Sequence, residues 1–188
     1  MSIMSDHAVI LVVEDREDDI LLLRTALHKA NLSNPVHFVR DGEEAVAYLR
    51  GEGTYANRAE HPLPDLMLLD LKLPRMDGFE VLQWVRRQEG IRALPIVVLT
   101  SSERIQDVNR AYELGANSFF VKEIDFENFV VLNQLLNRYW MKTARIPEIS
   151  RPANRIVFIA KFRKVAIVRG AVPVLTWDPS SRNVTSRT

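Results

Sequence analysis

The stretch LMLLDLKLPRMDG, residues 66–78, runs an apolar segment into a lone carboxylate at Asp70. An ionised carboxylate is costly to desolvate without a partner, so a cation, a metal, a donor or water must meet it. Three other apolar runs end in a comparable way: AVILVV stops at Glu14-Asp15, PIVVL at Thr100-Ser101 and NSFFV at Lys122. Acid, acid, hydroxyl and ammonium brought to one edge form hard oxygen ligands with a mobile point charge. Such ligands suit Mg²⁺, which takes one or two carboxylates together with phosphate and water. Asp15 and Asp70 are the expected ligands, with Glu14 beside them acting through water. A divalent ion lets the carboxylates coexist and screens Asp70 as an anionic phosphoryl group approaches. Lys122 then faces the added oxygens, and Thr100 supplies one hydroxyl donor. The chemistry this set predicts is in-line phosphoryl transfer to a carboxylate, in which positioning and charge neutralisation do most of the catalysis.

The elements that must hold these groups follow from periodicity. Strands are expected at residues 8–13, 36–39, 66–70, 95–99 and 117–121, each a short apolar run. Between them fall helical patterns. Asp18 and Asp19 can cap a helix carrying Ile20, Leu23, Ala26 and Leu27, and Asp41-Gly42 turns into a short helix over 43–50. The turn at MDG opens a helix with Phe79, Val81, Leu82 and Val85 on its apolar side. A further helix over 102–114 stops at Gly115, and a long last helix is expected over about 126–142. GEGTYANRAEHPLP, residues 51–64, is a long loop. Alternating strands and helices imply a parallel sheet with right-handed crossovers. The fold class is therefore α/β: a doubly wound five-stranded parallel sheet in the order 2-1-3-4-5, with its site at the carboxyl ends of the strands.

Bulk composition narrows the function classes. The chain has 188 residues, 47% apolar and 26% charged, the make-up of an ordinary globular protein. It has no cysteine, which excludes a disulfide framework and thiolate metal sites and suits a reducing cytoplasm. The N-terminus lacks a basic region before its apolar run and reads as a strand, not a signal peptide. No apolar run is long enough to span a membrane. The net charge of +1 conceals an asymmetry: residues 1–144 hold 16 Lys/Arg against 22 Asp/Glu, and residues 145–188 hold 9 against 2. A mildly acidic domain at 1–144 thus carries a basic C-terminal extension at 145–188.

The pieces LVVED, LMLLDLKLPRMDG, PIVVLTSS and ELGANSFFVKEID, in that order and spacing, resemble the receiver domain of bacterial two-component response regulators. The resemblance covers residues 8 to about 142. It implies a flavodoxin-like fold and Asp70 as the phosphoacceptor from a histidine kinase. It implies Glu14, Asp15 and Asp70 as the acidic pocket, with the Lys72 backbone carbonyl as a further Mg²⁺ ligand. It also implies Thr100 and Lys122 as phosphate contacts and Phe119 as the switch aromatic. Within the family, RDGEEAVAYLRGEG and NRYWMKTARIPE are similar to the stand-alone regulators paired with phytochrome-type kinases. Two positions depart from the family. Glu123, not proline, follows Lys122, so a cis bond there would cost about 3–4 kcal/mol. Phe119 replaces tyrosine, so packing alone would hold its ring inward.

The last helix is expected to pair two copies of the chain. Phe126, Phe129, Val130, Val131, Leu132, Leu135, Leu136, Tyr139 and Trp140 cover roughly 260° of its circumference, where core packing needs little over 100°. In the extension, RIVFIA, VAIV and AVPVL read as short β segments and SSRNVTSRT as disordered. Three rival functions stand beside the signalling switch. A DNA-binding regulator using the basic extension is disfavoured by the acidic domain and the absence of a recognition-helix pattern. A phosphatase using Asp70 as nucleophile is disfavoured by Lys72, where such enzymes place a second acid. A receiver that no longer takes phosphate is the reading that Glu123 supports. The four histidines lie far apart in sequence and lack metal spacing, so no role is assigned to them.

Overall fold

The computed structural model describes residues 2–3, 8–29, 32–122, 134, 137–141, 144–146, 175–177 and 184–186. Chain contacts divide it into two compact units, residues 1–152 and 153–188. In the first unit β1 (Ser2–Ile3) is followed by β2 (Ile10–Val13), α1 (Glu17–Lys29), β3 (Val36–Val39), α2 (Gly42–Arg50) and β4 (Leu66–Leu69). Then come α3 (Gly78–Arg87), β5 (Ile96–Thr100), α4 (Ile105–Glu113), β6 (Ser118–Val121) and β7 (Arg145–Ile146). Strands β2 to β6 form one parallel sheet in the order β3-β2-β4-β5-β6. Counted along the chain, its five strands run 2-1-3-4-5, the doubly wound order expected.

The strands are short and continuously apolar because helices cover both faces of the sheet. Side-chain alternation sorts them into two cores. Leu11, Val13, Met67, Leu69, Ile96 and Val98 face Tyr48 of α2 and Val81, Leu82 and Val85 of α3. Ile10, Val12, Leu66, Leu68, Val97 and Leu99 face Leu23, Ala26 and Leu27 of α1, together with Trp140. Phe119 leans on the first core and Phe120 on the second, one to each side of β6.

Capping fixes where the helices begin. The Asp41 side chain accepts from Glu44 N and starts α2, and Gly51 ends it at φ 71°. Asp77 and Glu80 form a capping box at α3, each accepting from the other's backbone N–H. Helix α4 starts at Ile105, three residues after the expected Ser102, and Arg104 at its cap makes no side-chain bond. The Ser102 hydroxyl instead donates to the Asp107 carboxylate in the first turn, so the preceding residues stay extended. The β1–β7 pair, Ser2↔Ile146 and Ile3↔Arg145, has no counterpart in the sequence reading, because two-residue strands carry no periodicity. Most of the expected last helix lies outside the described residues; of those described, Gln134 is α-helical and Asn137–Met141 is a π turn.

In the second unit β8 (Leu175–Trp177) pairs antiparallel with β9 (Val184–Ser186). For Val184–Ser186 this corrects the reading of the closing SSRNVTSRT as disordered, since β-branched Val184 and Thr185 suit a paired strand; the rest of that segment lies outside the described residues. No helix among the described residues is long and apolar enough to cross a membrane.

Candidate metal centre

The sheet ladder itself delivers the polar groups to one edge. Beyond the last apolar residue of β2, β4 and β6 one more backbone bond forms. Glu14 N donates to Val39 O at 3.0 Å, Asp70 N to Val13 O at 3.0 Å and Lys122 N to Thr100 O at 2.7 Å. Glu14, Asp70, Thr100 and Lys122 are thereby held on ordered backbone, with Asp15 one residue on.

Lys122 is the hub. Its ammonium reaches Asp70 Oδ2 at 2.7 Å and Asp19 Oδ2 at 3.1 Å, and it also bonds Glu14 Oε2. The groups are out of water: side-chain exposure is 6% for Lys122, 5% for Glu14 and 4% for Asp70. Burial pushes the Glu14 carboxyl up to about 7, against the pull of Lys122 and with a further push from Asp70. Burial also works against the Lys122 charge, but Asp70 and Glu14 outweigh it and the ammonium ends above its ordinary value. The two directions compete, since a full ion pair wants both groups charged. The ammonium among the three carboxylates stays protonated, and Glu14 is the carboxyl that burial drives toward its neutral form.

The residues fit a divalent cation. Glu14, Asp15 and Asp70 each offer one carboxylate oxygen, and these oxygens lie within 4.8 Å of one another. Asp15 Oδ1 is buried and has no hydrogen-bond partner, and a cation would satisfy it. Thr100 is fully buried at the end of β5, its hydroxyl accepting from Ser102 N at 3.4 Å. Lys72 N donates to Asp70 Oδ1 at 3.2 Å, while its exposed ammonium reaches Ser101 Oγ at 3.3 Å. Phe119 pairs with Val98, two residues before Thr100 on β5, and is half-buried. Glu123, whose bond to Lys122 was singled out, lies outside the described residues, and no cis peptide occurs among the described ones.

Sequence reasoning missed two contributors. Asp19 was read as a helix cap; it lies in the first turn of α1 and holds Lys122 instead. Its spacing of four from Asp15 was the available signal. Gly78 was read as a plain turn residue. A Cβ there would strike the Asp70 carbonyl and lie 2.7 Å from Leu71 Cα, so only glycine lets α3 start against the strand end. The histidines form no metal-ligand group among the described residues, as expected from their spacing, but two of them pack together. His37 and His61, distant in sequence, meet with ring centroids 6.0 Å apart, packed with Tyr48 and Tyr55. Burial, then the nearby His61, holds His37 below its ordinary value.

Comparison with known proteins agrees with this geometry. The model of the response regulator receiver domain matches residues 10–134. The probable methanogenesis regulatory protein FilR2 of Methanothrix harundinacea is 37% identical over 143 residues, 76% of this chain and 89% of its own. Response regulator Rcp1 of Synechocystis sp. is 35% identical over 148 residues, covering 77% of this chain and 99% of its own. A crystal structure of Rcp1 in its Mn²⁺-bound form superimposes with a TM-score of 0.68. The phosphorylated cyanobacterial phytochrome response regulator RcpA matches at TM-score 0.70 and 38% identity, over 76% of this chain and 99% of its own.

Proposed function

The chain belongs to the response regulator receiver family, and on that premise we propose that it is a signalling switch whose Asp70 accepts a phosphoryl group from a histidine kinase. One observation carries the assignment: the Lys122 ammonium lies 2.7 Å from Asp70 Oδ2, beside an Asp15 oxygen left buried without a partner. That is a reactive carboxylate with its counter-charge in place and one ligand position waiting. An Asp70 oxygen attacks phosphorus in line, the P–N bond of the kinase's phosphohistidine breaks, and the imidazole departs with the electron pair.

Mg²⁺, held by Asp15, Asp70 and Glu14 with the Lys72 carbonyl, would supply positive charge against the incoming oxygens. Lys122 exchanges its carboxylate partners for a phosphoryl oxygen, staying charged throughout. The Thr100 hydroxyl donates to a second oxygen, which draws in the end of β5. Phe119, half-buried beside it, then has room to turn inward, and no hydroxyl on its ring opposes that packing. No separate substrate is turned over.

Likeness to Rcp1 and RcpA supports a phytochrome-type kinase as the donor, and with it a cytoplasmic setting. The apolar sequence of residues 126–140 supports a homodimer through the last helix, with Tyr139 56% exposed there. Nucleic acid is not a partner in this reading. Incubating the chain with a radiolabelled phytochrome-type kinase tests the donor: label should leave the kinase and appear on the wild type, and none on Asp70→Asn. Label on Asp70→Asn would move the acceptor elsewhere. Sedimentation giving a monomer at tens of micromolar in both phosphorylation states would remove the dimer.

A further inference from the structure

The loop after Asp70, residues 71–77, is fastened at its far end and in its middle by contacts that the metal chemistry alone does not call for. At its far end Gly78 lies against the Asp70 carbonyl. In its middle Arg75 adopts φ 64°, the one left-handed non-glycine residue among those described. An L side chain rarely takes that conformation unless its surroundings impose it. Here the guanidinium turns back onto the Asp41 carboxylate, and Arg75 Nε also reaches Glu43 Oε2 at 3.5 Å.

Asp41 is a buried anchor. Its side chain is 2% exposed, while that of Arg75 is 58% exposed. One Asp41 oxygen meets Arg75 and the other accepts from Glu44 N at 2.7 Å, capping α2. Directly after it, Gly42 packs against the loop so closely that a Cβ would strike the Met76 carbonyl and lie 2.8 Å from Met76 Cβ. The β3–α2 turn and the β4–α3 loop are therefore locked together by a charge pair and a close backbone approach.

We infer that Asp41 and Arg75 are positioning residues for the cation centre: their clasp sets the path of residues 71–77, and with it the Lys72 carbonyl and the Asp70 carboxylate. The inference rests on the receiver reading, because it gives that loop a metal ligand to place. Partners that orient ligands without touching the ion commonly change metal affinity about 10–100-fold when removed. A clasp across two loops also ties the cation centre to the start of α2, an element with no residue in it.

The test uses full-length protein and Mn²⁺ as the probe, with affinity measured by titration calorimetry. Arg75→Ala should weaken Mn²⁺ binding about tenfold and Asp41→Asn by a similar factor, with the double variant no worse than either single one. Arg75→Lys, which keeps the charge, should recover most of the loss, to within about threefold of wild type. In the cation-free state, hydrogen exchange at residues 71–77 should rise in Arg75→Ala while the rest of the sheet keeps its protection. If Asp41→Asn fails to fold through loss of the α2 cap, the two Arg75 variants and the exchange data still decide. Arg75→Ala binding Mn²⁺ within about twofold of wild type overturns the inference, as does Arg75→Lys binding as weakly as Arg75→Ala. A wild type that binds no Mn²⁺ overturns the functional reading, and this inference with it.

Discussion

Replacing Lys122 with methionine removes the single ammonium that the acidic edge is built around. Nζ lies 2.7 Å from Asp70 Oδ2 and 3.1 Å from Asp19 Oδ2, and it also bonds Glu14. Because the Lys122 side chain is only 6% exposed, no discount for solvent screening applies. Breaking a buried pair by deleting one partner costs about 3–5 kcal/mol, since the remaining charge is stranded. Glu14, already pushed up to about 7, relieves part of that by taking a proton. The expected loss in cation-free buffer near neutral pH is about 2–4 kcal/mol. Mg²⁺ should then recover more stability in the variant than in wild type, because no ammonium competes for Glu14 and Asp70. Each tenfold gain in cation affinity adds about 1.4 kcal/mol at saturating Mg²⁺. Urea unfolding of both proteins in EDTA and in Mg²⁺ measures all four stabilities. A variant within about 1 kcal/mol of wild type in EDTA, or an equal Mg²⁺ increment in both, would refute the reasoning.

Other perturbations probe separate parts of the account. Glu14 has an ordinary value of 4.5 and a folded value of about 7, so the folded state holds its proton more tightly than the unfolded chain. That contribution is full below 4.5 and is lost as pH rises through 7, so cation-free wild type should lose about 1–3 kcal/mol across this window. Glu14→Gln should flatten the profile, as followed by urea midpoints against pH. Gly78→Ala should destabilise the fold by about 1–3 kcal/mol through overpacking on the Asp70 carbonyl, and should slow phosphorylation as well. Arg86 donates to Gly115 O at 2.7 Å, Leu94 O at 2.9 Å and Arg92 O at 2.9 Å, all remote from Asp70. Arg86→Gln should therefore cost about 2–3 kcal/mol in urea unfolding while leaving phosphoacceptance unchanged.

Why the sheet was legible and parts of the site were not comes down to range. Leu66–Leu69 and Ile96–Thr100 announce themselves because a parallel strand buried on both faces must be continuously apolar. A polar residue closing such a run can only sit at the strand's end. The strand order then brings Glu14, Asp70, Thr100 and Lys122 to one edge without further information. Asp19 and Gly78 were missed because their roles depend on a distance across the fold, to Lys122 and to the Asp70 carbonyl. Locally, an acid in a first helical turn and a glycine after Asp77 already have sufficient explanations. The packing of two histidines was invisible for the same reason: 24 residues separate His37 and His61, yet both rings pack against Tyr48. The closing strand Val184–Ser186 escaped notice because three residues are too few to show a period.

The most direct measurement of the central claim is intact-mass spectrometry after incubation with acetyl phosphate. Wild type in Mg²⁺ should gain the mass of one phosphoryl group, and the gain should vanish both in EDTA and in Asp70→Asn. A wild-type chain that gains nothing in Mg²⁺, or an Asp70→Asn chain that gains the same mass, would contradict it.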